Sequence, residues 1–237
     1  MLQNLIERAA SLVFPAECEA CREPCSQRQA GVCARCASKI RMLEAPHCVS
    51  CGRTLKNGGP RCAHCRDAAF HFDRAYACTL YEGGTKELLH AFKFRNRKML
   101  KSFFVKTMHG FFEKHLRNER FDLAVSVPMD AERERERGFN QSRLLSAGLA
   151  GRLGIGEASN RLRCIRKNAP QSLLAKAGRR SNVKGSFAVK PGGCFLAKRV
   201  LLVDDILTTG HTASECARTL KAAGAAAVTV LTFARGA

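Results

Sequence analysis

VLLVDDILTTGHTA, residues 200–213, is the stretch that decides the fold. Val200 to Val203 read as a strand buried on both faces, since a half-exposed strand would alternate apolar and polar residues. Asp204 and Asp205 emerge at its end. Adjacent carboxylates repel unless something positive or hydrogen-donating meets them; vicinal ribose hydroxyls do so, as does Mg²⁺ on a diphosphate. Thr208, Thr209, Gly210, His211 and Thr212 then turn into a helix starting near residue 212, whose unpaired amides and dipole favour an anion. The threonine hydroxyls add donors, and Gly210 allows close backbone approach. Strand, acid, acid, turn, helix is thus the order of a sugar-phosphate site, with the diol on the carboxylates and the phosphate in the turn. A helix cap with two solvated aspartates leaves that order unexplained.

Working outward, residues 73–237 alternate strand and helix patterns. Strands are expected at 75–81, 121–128, 198–205 and 226–234, and helices at 85–94, 100–116, 140–154 and 212–224. Alternation at this scale predicts a parallel sheet flanked by crossover helices, with ligands beyond the carboxyl ends of the strands.

Residues 1–72 follow another rule. Four C-x-x-C pairs, Cys18/Cys21, Cys33/Cys36, Cys48/Cys51 and Cys62/Cys65, are separated by eleven, eleven and ten residues. Each pair makes a turn that aims two sulfurs at one ion, and two pairs complete a tetrahedral structural zinc site. With few large apolar residues, this segment needs metal to fold. Eight thiolates imply two zinc ions, although one ion with vacant pairs is also compatible. Sequential pairing would give two ribbon-like loops, interleaved pairing a cross-brace. Cys25, His47 and His64 are spare ligands, and Gly52 supplies the backbone freedom of a knuckle. The division is therefore 1–72, a short N-terminal helix and a zinc-ribbon-like unit, and 73–237, an α/β unit.

The formal net charge is +20 in 237 residues. Residues 1–72 contribute +4, which two zinc tetrathiolates at −2 each would cancel, so the basic excess belongs to 73–237. It is clustered there, with eleven Lys/Arg and no acid between Glu157 and Asp204, and six and no acid between Glu87 and Glu113. Such fields concentrate phosphates and nucleic acid, or simply keep a surface soluble. Aromatic residues for base stacking are few, at 7 % with no Trp. No apolar run reaches the roughly 18–20 residues of a membrane span. The first residues lack a clean apolar signal region. A cytoplasmic protein is expected.

The 200–212 stretch resembles the phosphoribosyl diphosphate (PRPP) signature of type I phosphoribosyltransferases. The whole chain from Cys18 resembles the ComF competence family, with further similarity in HAFKFRNRK, VSVPMDAERERERGFNQS and QSLLAKAGRRSNVKGSFAV. The resemblance implies a type I phosphoribosyltransferase fold with a flexible hood, preceded by a small zinc-binding domain. It implies PRPP with magnesium as ligand, single-stranded DNA and a competence helicase as partners, and a role in DNA uptake. Asp204 and Asp205 would hold the ribose hydroxyls, and residues 208 to 212 the 5-phosphate. Pro128, Arg133, Arg137, Gly138, Asn140 and Gln141 would face the diphosphate, for which an Arg-rich loop at a strand's carboxyl end is also suited on chemical grounds. Lys93 matches a family position facing the diphosphate. Glu132, Glu134 and Glu136 are expected to pair with neighbouring arginines at a solvated helix start. Gln171, Leu174, Arg179, Arg180, Asn182 and Lys184 would lie in the hood, and Phe187 would pack. A transferase of unknown acceptor, a non-catalytic PRPP sensor that binds DNA, and a housekeeping enzyme of nucleotide metabolism all remain open at this point.

Overall fold

The structure, a computed structural model, describes residues 17–25, 31–55, 59–66, 68–95, 97–166 and 183–236. The expected helix before Cys18, the side chain of His64, and Gln171, Leu174, Arg179, Arg180 and Asn182 lie outside the described residues.

Two short helical turns, α1 (Ala34–Ala37) and a 3-10 turn at Ala63–Cys65, belong to the cysteine-rich part. The α/β part follows as β1 (Arg74–Leu80), α2 (Gly83–Phe94), α3 (Leu100–His115), β2 (Leu123–Ser126), α4 (Ala131–Arg137), α5 (Gln141–Leu153), β3 (Gly156–Glu157), β4 (Leu162–Cys164), β5 (Phe187–Val189), β6 (Arg199–Leu207), α6 (His211–Ala222) and β7 (Ala227–Arg235). Five strands form a parallel sheet in the order β1-β7-β6-β2-β3. The four long strands and four long helices expected from the pattern are present, with ends shifted by a few residues.

Residues 200–203 of β6 are fully buried because successive side chains enter different cores. Leu201 and Val203 join the core formed with α2 and α3, where Phe104 meets Phe233 of β7 edge-on at 4.5 Å. Val200 and Leu202 join the opposite core with Cys216, Ala217 and Leu220 of α6. Among the described residues, no helix is long and apolar enough to cross a membrane.

Four elements lay beyond the hydrophobic pattern. α4 buries no residue, so it has no apolar stripe to read; its ends are set by Asp130, which accepts from the Arg133 amide, and by Gly138 in the left-handed region. β3 has only two residues. β4 and β5 form an antiparallel ribbon whose strands have three residues each and lie far apart in sequence. This ribbon is tied to α6, since the Gly185 amide donates to Glu215 at 2.7 Å.

The cysteine-rich part is docked along β1, which is an edge strand and would otherwise expose its backbone groups. The amides of Leu43 and Leu80 donate to Cys78 and Arg41, and the Ala75 amide donates to Val49. Gly52 bridges to Tyr76 in the left-handed region, at φ +69°. A Cβ at residue 52 would lie 2.6 Å from the Ala77 nitrogen, with no flexible side chain to give way. Gly52→Ala is therefore expected to destabilise the protein by at least about 2 kcal/mol through backbone strain and lost edge pairing, read by denaturant unfolding.

Candidate functional site

The β6 strand delivers Asp204 and Asp205 into a half-open cavity of about 430 Å³. It lies beyond the carboxyl ends of the strands, where the chain leaves β6 and β2 in different directions. The two carboxylates are met by different elements. Asp205, 4 % exposed, lies 2.9 Å from Lys93 Nζ at the end of α2, an ion pair by distance although it lacks hydrogen-bond alignment. Asp204 accepts from the Ser142 hydroxyl at the start of α5 at 2.7 Å, and from the Asp205 amide at 2.9 Å. Burial and the negative charge of Asp205 push the Asp204 carboxyl up to about 7, against the opposing pull of Ser142, the Asp205 amide and Lys93.

After β6 the chain turns at Gly210, at φ +82°, into the first turn of α6. Thr208, Gly210 and Thr212 line the same cavity as the two carboxylates. Thr209 and His211 are not in its lining. The Thr209 hydroxyl is buried without a hydrogen-bond partner, and the His211 ring lies 6.4 Å from that of Phe70.

The third wall is the segment after β2. Pro128, Asp130, Arg133, Asn140, Gln141 and Ser142 line the cavity. Arg133 pairs with Asp130 at 3.3 Å. Asn140 is engaged with the backbone: its side-chain oxygen caps α5 through the amides of Ser142 and Arg143, and its nitrogen donates to Val127. Arg137 does not line the cavity; it donates to Gln141 and lies 5.0 Å above the Phe94 ring. Burial lowers the Arg137 pKa, with Asp205 opposing. Cys164 and Phe187 of the β4–β5 ribbon, with Val183 ahead of β5, complete the lining of the cavity, and Phe187 is packed in the α6-side core. Ser142, Asp130 and Cys164 were not legible as site residues, because a serine, a capping aspartate and a lone cysteine carry no local motif.

The cysteines assemble sequentially. Cys18, Cys21, Cys33 and Cys36 form one set and Cys48, Cys51, Cys62 and Cys65 the other, with the sulfurs of each set within 4.8 Å of one another. Cys25 and His47 stay outside both sets, and His47 packs against Phe111 and His115. The donors fit structural zinc: each set offers four sulfurs, and the amides of Cys33 and Cys62 donate to Cys18 and Cys48 at 3.2 and 3.3 Å, bonds that stabilise thiolates. Burial raises the Cys18 thiol, but amide donors outweigh it and bring its pKa down to about 6. Burial raises the Cys51 thiol, with the Arg53 amide and Arg235 pulling the other way.

A double zinc ribbon domain model matches residues 9–78. DNA utilization protein YhgH of Salmonella typhimurium is 30 % identical over 230 residues, covering 94 % of this chain and 99 % of that protein. Competence protein ComFC of Bacillus subtilis is 31 % identical over 207 residues, covering 83 % and 80 %. Among solved structures, adenine phosphoribosyltransferase from Thermoanaerobacter pseudethanolicus aligns over 58 % of this chain and 82 % of that chain at 20 % identity and a TM-score of 0.39. Two sequential four-cysteine ribbons, followed by a parallel sheet with an acid–acid–loop site roofed by a short ribbon, run along one chain that matches these relatives over most of its length. The chain belongs to the ComF family of competence and DNA-utilization proteins, with a double zinc ribbon ahead of a parallel α/β sheet.

Proposed function

We propose that this protein binds PRPP at the carboxyl end of β6 and holds single-stranded DNA on the adjoining basic face, in the handling of DNA taken up by the cell. One observation carries the PRPP reading. Asp204 and Asp205 share a single cavity with the Thr208–Thr212 loop at the start of α6, so a diol and a phosphate of one small molecule can be met together. Asp204 and Asp205 would accept from the ribose hydroxyls, while the amides at 208–212 and the Thr208 and Thr212 hydroxyls would hold the 5-phosphate. Lys93 and Arg133 would face the diphosphate. The residues fit magnesium carried on the ligand's phosphates rather than in a protein cage, because the carboxylates lining the cavity are Asp130, Asp204 and Asp205, and the Asp130 carboxylate is already tied to the guanidinium and amide of Arg133. The reaction such a pocket serves is displacement at the ribose anomeric carbon. The bond to diphosphate breaks with its electron pair leaving on oxygen, and the acceptor supplies the new bond. This chain's residues contribute position and charge.

The DNA reading draws on the names of the relatives and on the surface beside Lys93. Phe94 is 63 % exposed, flanked by the His90 ring at 4.9 Å and by Arg137. Arg95, Lys98 and Met99 are exposed on the loop that follows, with Lys98 Nζ 5.0 Å from the Phe139 ring. An open aromatic among cations is a platform for an unpaired base and its phosphates.

Three outcomes are expected. Mg²⁺-PRPP binds the zinc-loaded protein in calorimetry, and Asp204→Ala with Asp205→Ala removes that binding while the zinc content is unchanged; retained affinity sinks the site assignment. Phe94→Ala weakens oligo-deoxynucleotide binding about tenfold or more at fixed salt, and Lys98→Ala flattens the salt dependence, both read by fluorescence anisotropy.

The third concerns pH. Between the ordinary carboxylate value of 3.8 and about 7, folded Asp204 holds a proton that the unfolded chain releases. Its contribution to stability is thus full below about pH 4 and lost as pH rises through about 7. Asp204→Asn, a permanent mimic of the protonated form, should be more stable than the ligand-free parent in melting by a margin that widens by about 2 kcal/mol between pH 5.5 and pH 8. A melting difference independent of pH would show that Asp204 is ionised throughout.

A further inference from the structure

The first four-cysteine set meets the turn that leads into α3. Glu19, between Cys18 and Cys21, accepts a hydrogen bond from Arg97 Nη1 at 3.1 Å. The two side chains are only 17 % and 24 % exposed, so this ion pair is screened less than an open one such as Lys114 with Glu44. Each partner is held by its own backbone. The Glu19 amide donates to the Gly31 carbonyl at 2.8 Å, which joins the first knuckle to the chain entering the second. The amides of Leu100, Lys101 and Ser102 donate to Arg97, Lys98 and Met99 at 3.0, 3.0 and 3.2 Å, so the Arg97–Met99 turn is the foundation of α3. The backbones also approach closely: a Cβ at residue 31 would lie 3.5 Å from the Glu19 Cγ and 3.5 Å from the Met99 carbonyl oxygen.

This turn presents part of the basic face. Lys98 and Met99 are exposed on it, whereas Arg97 is turned onto an acid. By charge alone, an acid beside a polyanion surface opposes binding, so Glu19 needs another role. The knuckle supplies one. Cys18 is fully buried in the core of α2 and α3 with Leu88, Phe92 and Phe103, and Cys21, Cys33 and Cys36 pack with the same core. Four thiolates closed on one ion fix the Cys18–Cys21 turn and the Glu19 backbone within it. The second set packs with Leu55 and Phe70 in a separate core.

We infer that Glu19 is a positioning residue through which the first zinc ribbon orders the cationic turn at Arg97–Met99 for nucleic acid. With the first set closed, Glu19 is fixed, Arg97 is anchored, and Lys98 and Met99 face outward. With it open, the anchor is lost and the turn frays ahead of α3. The two ribbons then differ in role: the first supports the DNA surface, and the second pairs with β1 through Val49 and Gly52. The DNA part rests on the reading of Phe94 and Lys98 proposed above; the link from ribbon to turn does not.

Amide hydrogen exchange on the full-length protein without DNA tests the link, with metal analysis of each variant. Cys21→Ser opens the first set, Cys62→Ser opens the second, and Glu19→Gln and Arg97→Met break the pair with both sets intact. Exchange at the Leu100, Lys101 and Ser102 amides is expected to rise about tenfold in Cys21→Ser, Glu19→Gln and Arg97→Met, the change made by loss of one charge-assisted hydrogen bond. The Glu19→Gln, Arg97→Met double variant should rise no further than either alone, and Cys62→Ser should keep the parent rate. The parent rate in Cys21→Ser, Glu19→Gln or Arg97→Met overturns the inference, as does an equal rise in Cys62→Ser, which would report general loosening. Should Cys21→Ser fail to fold, a chelator is used to strip Cys62→Ser of the ion in its first set; a rise that tracks zinc release is expected, and no rise overturns the link. Oligo-deoxynucleotide anisotropy at about 0.15 M salt, where the screening length is about 8 Å, supplies a sign. Charge alone would make Glu19→Gln bind tighter, whereas positioning makes it bind about threefold weaker, and equal or tighter binding overturns the role in DNA binding. A parent that binds no oligonucleotide overturns the DNA reading, and exchange then decides the link by itself.

Discussion

Two neighbouring carboxylates at the mouth of a low-dielectric cavity can be tolerated only if separate parts of the chain bring charge and donors to each of them. That requirement organises the α/β unit. The ion pair to Asp205 fixes the end of α2, and the hydroxyl bonded to Asp204 fixes the start of α5. Asn140 then binds α5 to the end of β2 by capping the helix and donating to Val127. The pocket is thus assembled from three crossover connections at the carboxyl end of the sheet. Each is held by a polar contact at its tip and by apolar packing along its length, with Phe104 against Phe233 on one face and Leu220 of α6 in the core of the other.

The cysteine-rich part is joined to this unit more closely than a linked finger would be. It covers the exposed edge of β1 with backbone hydrogen bonds, and its first set shares a core with α2 and α3. Edge coverage protects a strand that would otherwise be open to foreign pairing. It also brings the second cysteine set close to the ligand loop, with Phe70 packed on that set and against Gly210.

Charge is divided in a similar way. The zinc tetrathiolates neutralise the first part, leaving the basic excess on the α/β unit. On the loop after α2 that excess surrounds an exposed phenylalanine instead of being spread evenly. A short polyanion and a long one can therefore be met by adjoining surfaces, with Lys93 in the cavity and Phe94 beside it facing outward.

The sequence by itself determined the long elements, the four cysteine pairs and the acid–acid–loop order, because each is written in residues adjacent along the chain. An unbroken apolar run specifies a strand buried on both faces, and two residues between cysteines specify a metal knuckle. Only the tertiary structure decided which pairs share an ion, since the spacings allow both sequential and interleaved sets. It alone placed Ser142 on Asp204, spent the Asn140 carboxamide on a helix cap, and set Arg137 over the Phe94 ring with a bond to Gln141. It also fixed the ends of α4, which has caps but no apolar face, and revealed the β4–β5 roof, whose strands are too short to show a period. Arg235 gave no local signal. A single arginine at the end of an apolar strand acquires meaning only when β1 and β6 flank it, because a buried charge is defined by what surrounds it and not by its neighbours in sequence.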